Sequence, residues 1–256
     1  MTGAALSEGL ARADREKRFV AATSVVAAVF LTGMKVAVGL STGSIGILAE
    51  AAHSSLDLVA AVVTLWAVRA AGRPADPEHT YGHGKIENLS ALFETALLLA
   101  TCLWIVTESV ERLLFRPARV EPTAWAFAVM AVSIVVDVSR SRALARTARK
   151  YGSQALEADA LHFSTDVWSS AVVLVGLALV VVSERTGIAW LAKADAVAAL
   201  AVAAIVVVLS LKLGKKSIDD LVDAVPGGLR ERLAAAARVP GGGDVPALRV
   251  RRTGPT

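Results

Sequence analysis

Apolar residues along this chain come in long blocks rather than in a two-residue alternation, and short polar, glycine-rich or charged stretches separate the blocks. They fall at residues 19–40, 44–68, 86–114, 123–138, 155–183 and 190–213. About 20 helical residues cross a hydrocarbon core, so most blocks are long enough, and 123–138 needs to extend into the basic stretch after it. Lipid offers a backbone amide no partner outside its own helix, and no strand-like period is present. The pattern predicts an all-α membrane protein, a bundle of six transmembrane helices. Residues 1–18 then form an N-terminal segment, 19–214 the membrane domain and 215–256 a C-terminal remnant.

Composition strengthens this reading: 55% of residues are hydrophobic and 20% charged, with a mean hydropathy of +0.56, more apolar than an ordinary soluble domain. No signal peptide with a small-residue cleavage site precedes the first block, which therefore reads as a retained span. Lys and Arg gather before the first block, in the second-to-third and fourth-to-fifth connections, and after the sixth. The positive-inside rule then places both termini in the cytoplasm, in a prokaryotic inner membrane. These basic runs flank spans and lack aromatic stacking partners, so they read as topology anchors and not as a nucleic-acid surface. A single cysteine, Cys102, excludes a disulfide framework or thiolate cluster within one chain. Metal chemistry here has to use His and carboxylates.

Two apolar blocks are interrupted by the same polar frame. Residues 49–57 read "AEAAHSSLD" and residues 158–166 read "ADALHFSTD". In each, an acid, a His and an Asp fall at i, i+3 and i+7: Glu50, His53 and Asp57 in one, Asp159, His162 and Asp166 in the other. That spacing puts each trio on one helix face, and a His and an Asp four residues apart lie about 6 Å apart along the axis. With six spans the second and fifth helices run antiparallel, which would set His53 level with Asp166 and Asp57 level with His162. Two imidazoles and two carboxylates form a tetrahedral set suited to Zn²⁺, whereas Mg²⁺ and Ca²⁺ favour all-oxygen shells. The same atoms bind protons, so such a site can exchange a metal ion for protons. The alternative for any one of these residues is a helix-to-helix hydrogen bond, but two matching pairs favour a metal site. Glu50 and Asp159 read as supports of the ligands or as a proton relay.

Other polar residues carry weaker signals. The loop "RPADPEHTYGHGK" contains Asp76, His79 and His83, which form either a second metal site or a solvated turn. Lys85 and Glu87 mark the membrane boundary, and Lys35 is expected to snorkel to the interface. Asp137 pairs locally with Arg140 or Arg142, while Glu94, deep in the third block, faces a cavity or a dimer partner.

The segments "LSTGSIGILAEAAHSSLD", "RPADPEHTYGHGKIENLSAL", "ALEADALHFSTDVWSS" and "SIDDLVDAVP" together resemble the cation diffusion facilitator family of divalent-metal transporters, over nearly the whole chain. The resemblance implies a six-helix domain in a homodimer that exports Zn²⁺ or a similar ion (Co²⁺, Ni²⁺, Fe²⁺, Cd²⁺ or Mn²⁺) from the cytoplasm in exchange for protons. It needs no organic cofactor and no nucleic acid; its partners are metal ions, protons and the bilayer. Carried over residue by residue, the transport site is His53, Asp57, His162 and Asp166. His at the first of these tends to accompany zinc preference in the family. Members usually continue into a cytosolic α/β domain, whereas residues 225–256 here offer one short helix and a strand-like "ALRVRR", so a truncated or reduced domain is expected. Two rival functions remain: a membrane metal sensor or scaffold without transport, and an intramembrane zinc enzyme. The second lacks an HExxH helix, and four protein ligands leave no open position for water, so the chain reads as a carrier and not an enzyme.

Overall fold

The computed structural model describes residues 3–114, 124–186, 194–225 and 228–237, together with residues 248 and 250. It contains seven helices and, among the described residues, no strand: α1 (Gly3–Thr42), α2 (Ile45–Ala71), α3 (Ile86–Leu114), α4 (Ala124–Tyr151), α5 (Gln154–Thr186), α6 (Ala194–Leu221) and the short α7 (Leu229–Ala237). Six long helices make the bundle foreseen from the apolar blocks. Among the described residues, three segments are long and apolar enough by themselves to span a membrane, Glu8–Thr42, Ile47–Ala71 and Ile86–Glu111. The connections at 115–123 and 187–193, and most of the strand-like 247–252, lie outside the described residues.

Two helix pairs are closed by the same device. Between α1 and α2, Gly43 takes a left-handed φ of 67° and Ser44 caps α2, its hydroxyl accepting from the Ile47 amide at 3.4 Å. Between α4 and α5, Gly152 has a φ of 64° and the Ser153 hydroxyl accepts from the Leu156 amide at 3.4 Å. Glycine ends a helix in the left-handed region without a Cβ clash, and serine satisfies a free amide of the next helix. Turns this short force antiparallel neighbours, so α1 packs along α2 and α4 along α5.

These four helices share a core of small side chains, including Ala21, Ala28, Ala61, Ala148 and Ala160, closed by Leu144, Leu156 and Phe163. Small residues let helices approach closely where lipid supplies no hydrophobic drive between them. α3 pairs with α6 instead, through Ala91 with Leu213 and through Leu98 and Cys102 with Val206. Large apolar side chains such as Phe30, Leu40, Leu103 and Trp104 are exposed on the outer faces, as a lipid-bathed surface requires.

Helix α1 does not start at the apolar block but runs on through the charged segment before it. That segment is rich in Ala, Leu, Glu and Arg, all strong helix formers, and it is tied down by tertiary contacts. Lys17, buried, donates to Glu87 of α3 at 3.0 Å, and Ser153 donates to the same carboxylate. Glu16 accepts from Lys150 at 2.7 Å and from the Tyr151 hydroxyl at 2.5 Å. Glu87, at the start of α3, is fully buried where α1, α3 and the turn into α5 meet. Removing one partner of such a buried pair typically costs about 3–5 kcal/mol.

α1 and α2 approach closely at Gly39, where a Cβ would lie 2.7 Å from Leu48 Cδ2 and 3.2 Å from the Leu48 backbone nitrogen. Gly39→Val is expected to destabilise the protein by about 1–3 kcal/mol through overpacking. A thermal melt in detergent would read this as a lowered midpoint; an unchanged midpoint would contradict the packing described.

Candidate metal site

Helices α2 and α5 run antiparallel and bring their polar faces together inside the four-helix core. His162 Nε2 lies 3.1 Å from Asp57 Oδ1, and His53 Nε2 lies 3.8 Å from Asp166 Oδ1. The within-helix pairs are nearly as close, His53 to Asp57 at 3.9 Å and His162 to Asp166 at 3.8 Å. The crossed register anticipated from the spacing of the two motifs is therefore the one the structure has. One ligand atom from each of His53, Asp57 and Asp166 falls within a 4.8 Å set, and His162 joins it through both aspartates.

The set is enclosed on one side and open on the other. The His162 side chain is 5% exposed, those of Asp57 and Asp166 are 12% and 14%, and that of His53 is 25%. Asp166 Oδ2 and His162 Nδ1 are buried without a hydrogen-bond partner. Carboxylate oxygens left without a donor, facing imidazole nitrogens, are a donor-poor arrangement that a cation completes.

The two acids one turn before the histidines behave differently from each other. Glu50 is half exposed and pairs with Lys35 at 3.3 Å. Lys35 does not snorkel to an interface: it is 6% exposed, and its ammonium donates to Ser54 Oγ at 2.7 Å. A carboxylate and a hydroxyl across the α1–α2 interface hold the charge more closely than a route to water would. Asp159 is fully buried and accepts from Ser24 at 3.4 Å. Ser24 in turn accepts from Arg140, whose guanidinium bonds Asp137 at 3.1 Å and lies 3.5 Å above the Phe163 ring. Of the two pairings considered for Asp137, the structure contains the one with Arg140. The Ser24 and Phe163 contacts had no signal in the sequence, because a lone hydroxyl or ring in an apolar helix is indistinguishable from packing. Glu94 points into the bundle, bonded to Thr64, and is fully buried within one chain.

The α2–α3 loop forms a second cluster. Asp76 Oδ1 accepts from the His79 amide at 2.6 Å and the Glu78 amide at 3.0 Å, while its carboxylate meets His79 Nδ1 at 3.1 Å and His83 Nε2 at 3.4 Å. The two imidazole rings lie 4.3 Å apart, and Gly82, at a φ of 80°, makes the turn between them. His83 Nδ1 is buried without a partner. The three side chains offer ligand atoms within 4.8 Å of one another. Beside them Lys85 reaches the Leu221 carbonyl at 2.9 Å and Asp223 at 2.8 Å, tying the start of α3 to the end of α6.

Residues 21–222 match the model of the cation efflux transmembrane domain. Among curated proteins, the chain is 30% identical over 241 residues to cation-efflux pumps named FieF from Salmonella paratyphi A and Salmonella agona, covering 93% of this chain and 76% of theirs. It is 35% identical over 209 residues to an uncharacterized transporter of Synechocystis, covering 82% of this chain and 65% of that one.

The His79 amide, and next its ring, hold the Asp76 carboxyl below the ordinary aspartate range. A depressed folded value means that the turn gains from ionised Asp76 at neutral pH and loses that gain as pH falls through the folded value. Asp76→Ala is therefore expected to speed hydrogen exchange at the Glu78 and His79 amides several-fold at neutral pH. Unchanged exchange by mass spectrometry would show that the carboxylate does not order the loop.

Proposed function

The chain belongs to the cation efflux family, and from that premise we propose that it exports a divalent metal ion, Zn²⁺ by donor set, in exchange for protons. His53, Asp57, His162 and Asp166 are the transport ligands in this reading, and the observation that carries it is their convergence from two antiparallel helices. Two nitrogen and two oxygen donors suit a tetrahedral, borderline-soft ion better than Mg²⁺ or Ca²⁺. Co²⁺, Ni²⁺, Fe²⁺, Cd²⁺ and Mn²⁺ remain competing cargoes, sorted by cavity geometry.

Exchange follows from the ligands themselves. Bound metal requires neutral imidazoles and ionised carboxylates; protons arriving at the same atoms cancel the negative charge and occupy the lone pairs. A side facing low pH therefore releases the ion, and a side facing higher pH loads it. Alternating access supplies the two faces. With the basic connections on the cytoplasmic side, cytoplasmic metal leaves while external protons enter. The protein is a carrier acting as a homodimer in a prokaryotic inner membrane, with both termini inside. Asp76, His79 and His83 form an accessory metal site at the loop, and Lys35 with Glu50, and Arg140 with Asp159, hold the ligand-bearing helices in register.

In proteoliposomes, Asp57→Ala and Asp166→Ala are each expected to abolish metal-driven proton flux, since each removes one of the two carboxylate ligands. Wild-type flux in either variant would sink the assignment. Zn²⁺ affinity of the purified protein should fall by at least about tenfold between pH ~7.5 and ~5.5, as protons compete with the metal for the ligand imidazoles. A titration with a competing dye would show this, and a pH-independent affinity would exclude metal–proton competition at histidine.

A further inference from the structure

The carboxyl of Glu94 plays no part in the metal site, yet it is fully enclosed in the bundle. It is 0% exposed, a little over two turns into α3. Its Oε1 bonds the Thr64 hydroxyl of α2, and its Oε2 is buried with no hydrogen-bond partner. An ionised carboxylate can accept at about four lone-pair positions; here one is used. No lysine, arginine or histidine acts on Glu94 among the described residues, and the charged group that does is another acid, Asp159 of α5. Asp159 is itself fully buried, with Oδ1 unpartnered.

The two acids are not equivalent. Asp159 has cationic neighbours: Arg140 of α4 acts on it directly and through Ser24 of α1, and His162 lies one turn along its own helix. Asp57 of α2 opposes them. Glu94 has only the Thr64 hydroxyl from α2 and the negative Asp159 from α5. A buried charge with no counter-charge is far more costly than the neutral acid, so of the pair it is Glu94 that carries a proton. One turn before it on the same face, the Ser90 hydroxyl is also buried without a partner, which continues the polar line along α3.

We infer that Glu94 is a proton-binding site separate from the four metal ligands: it holds a proton while α3 is packed against α2 and α5, and gives it to water when that packing opens. The O–H bond of the carboxylic acid breaks, the electron pair stays on the carboxylate, and the proton leaves as hydronium; resealing requires the reverse. No co-reactant other than water is needed. This rests on the exchanger reading above, to which it adds one proton per cycle carried outside the ligand set. It also places that proton on α3, a helix that contributes none of the ligands. Thr64 is a positioning residue in this scheme, since its hydroxyl fixes the carboxyl between α2 and α3.

The experiment uses the full chain, in two arms. Infrared spectra of the resting, metal-free protein at neutral pH should contain a C=O stretch from a protonated carboxylic acid, one component of which disappears in Glu94→Gln and persists in Glu50→Gln. Thr64→Val should shift that same component to higher frequency, and this arm stands even if Glu94→Gln does not fold. A spectrum with no component that responds to either substitution would overturn the proposal, whether or not the protein transports metal. In proteoliposomes, Glu94→Gln should lower the proton-to-metal ratio by one while changing Zn²⁺ affinity less than about threefold, because its carboxyl touches no ligand. An unchanged ratio in an actively transporting variant would also overturn it. Loss of metal transport in the wild type would count against the exchanger reading alone, leaving the infrared result to decide the proton on Glu94.

Discussion

A charged side chain withdrawn into a lipid-embedded bundle has to be answered by another group inside that bundle, because no water is at hand to do it. Apart from Glu94, the described ionisable residues between the helices can be placed by asking what answers them. His53 and His162 answer Asp166 and Asp57 across the α2–α5 contact. Lys35 answers Glu50, and Arg140 answers Asp137 and, through Ser24, Asp159. The ligand set has imidazoles where the others have full positive charges: two carboxylates face two imidazoles, and Asp166 Oδ2 is buried where no donor reaches it. Structural pairs in the same bundle are closed by full positive charges, and this one is left for a cation to close.

The backbone makes that juxtaposition inevitable. Identical Gly–Ser turns reverse the chain after α1 and after α4, so α2 and α5 each return beside a partner. The alanine-rich core then draws the two hairpins close enough for side chains as short as aspartate to meet across the interface. α3 and α6 form their own pair, packed closely enough that a Cβ on Gly214 would lie 3.0 Å from the Thr95 methyl. The loop cluster of Asp76, His79 and His83 sits at the junction between the hairpin unit and this pair.

How much of this the chain discloses in one dimension depends on whether a feature lies along one helix or between helices. The block lengths and the duplicated His–Asp spacing are properties of single helices, and both the six-helix bundle and the crossed register of His53, Asp57, His162 and Asp166 could be read from them. The partners of Lys35 and Glu87 are hidden for the converse reason. Each looks like an interface residue when only its own helix is considered, and each is buried because of a partner far away in sequence, Ser54 with Glu50 in one case and Lys17 with Ser153 in the other. Glu50 and Asp159 occupy equivalent places in the two motifs, yet one is half exposed and the other fully enclosed. Their surroundings are set by α1 and α4, not by the motif.

The junction at Glu87 has a bearing on how the molecule is made. Its carboxylate is shared by Lys17, from near the beginning of the chain, and Ser153, from the turn that opens α5. Until the ribosome has produced that turn, the Glu87 carboxylate lacks one of its two donors. Completion of this end of the bundle is thus tied to the arrival of the segment that also delivers His162 and Asp166. The newborn chain closes its scaffold and receives the second half of its ligand set in a single stage of synthesis.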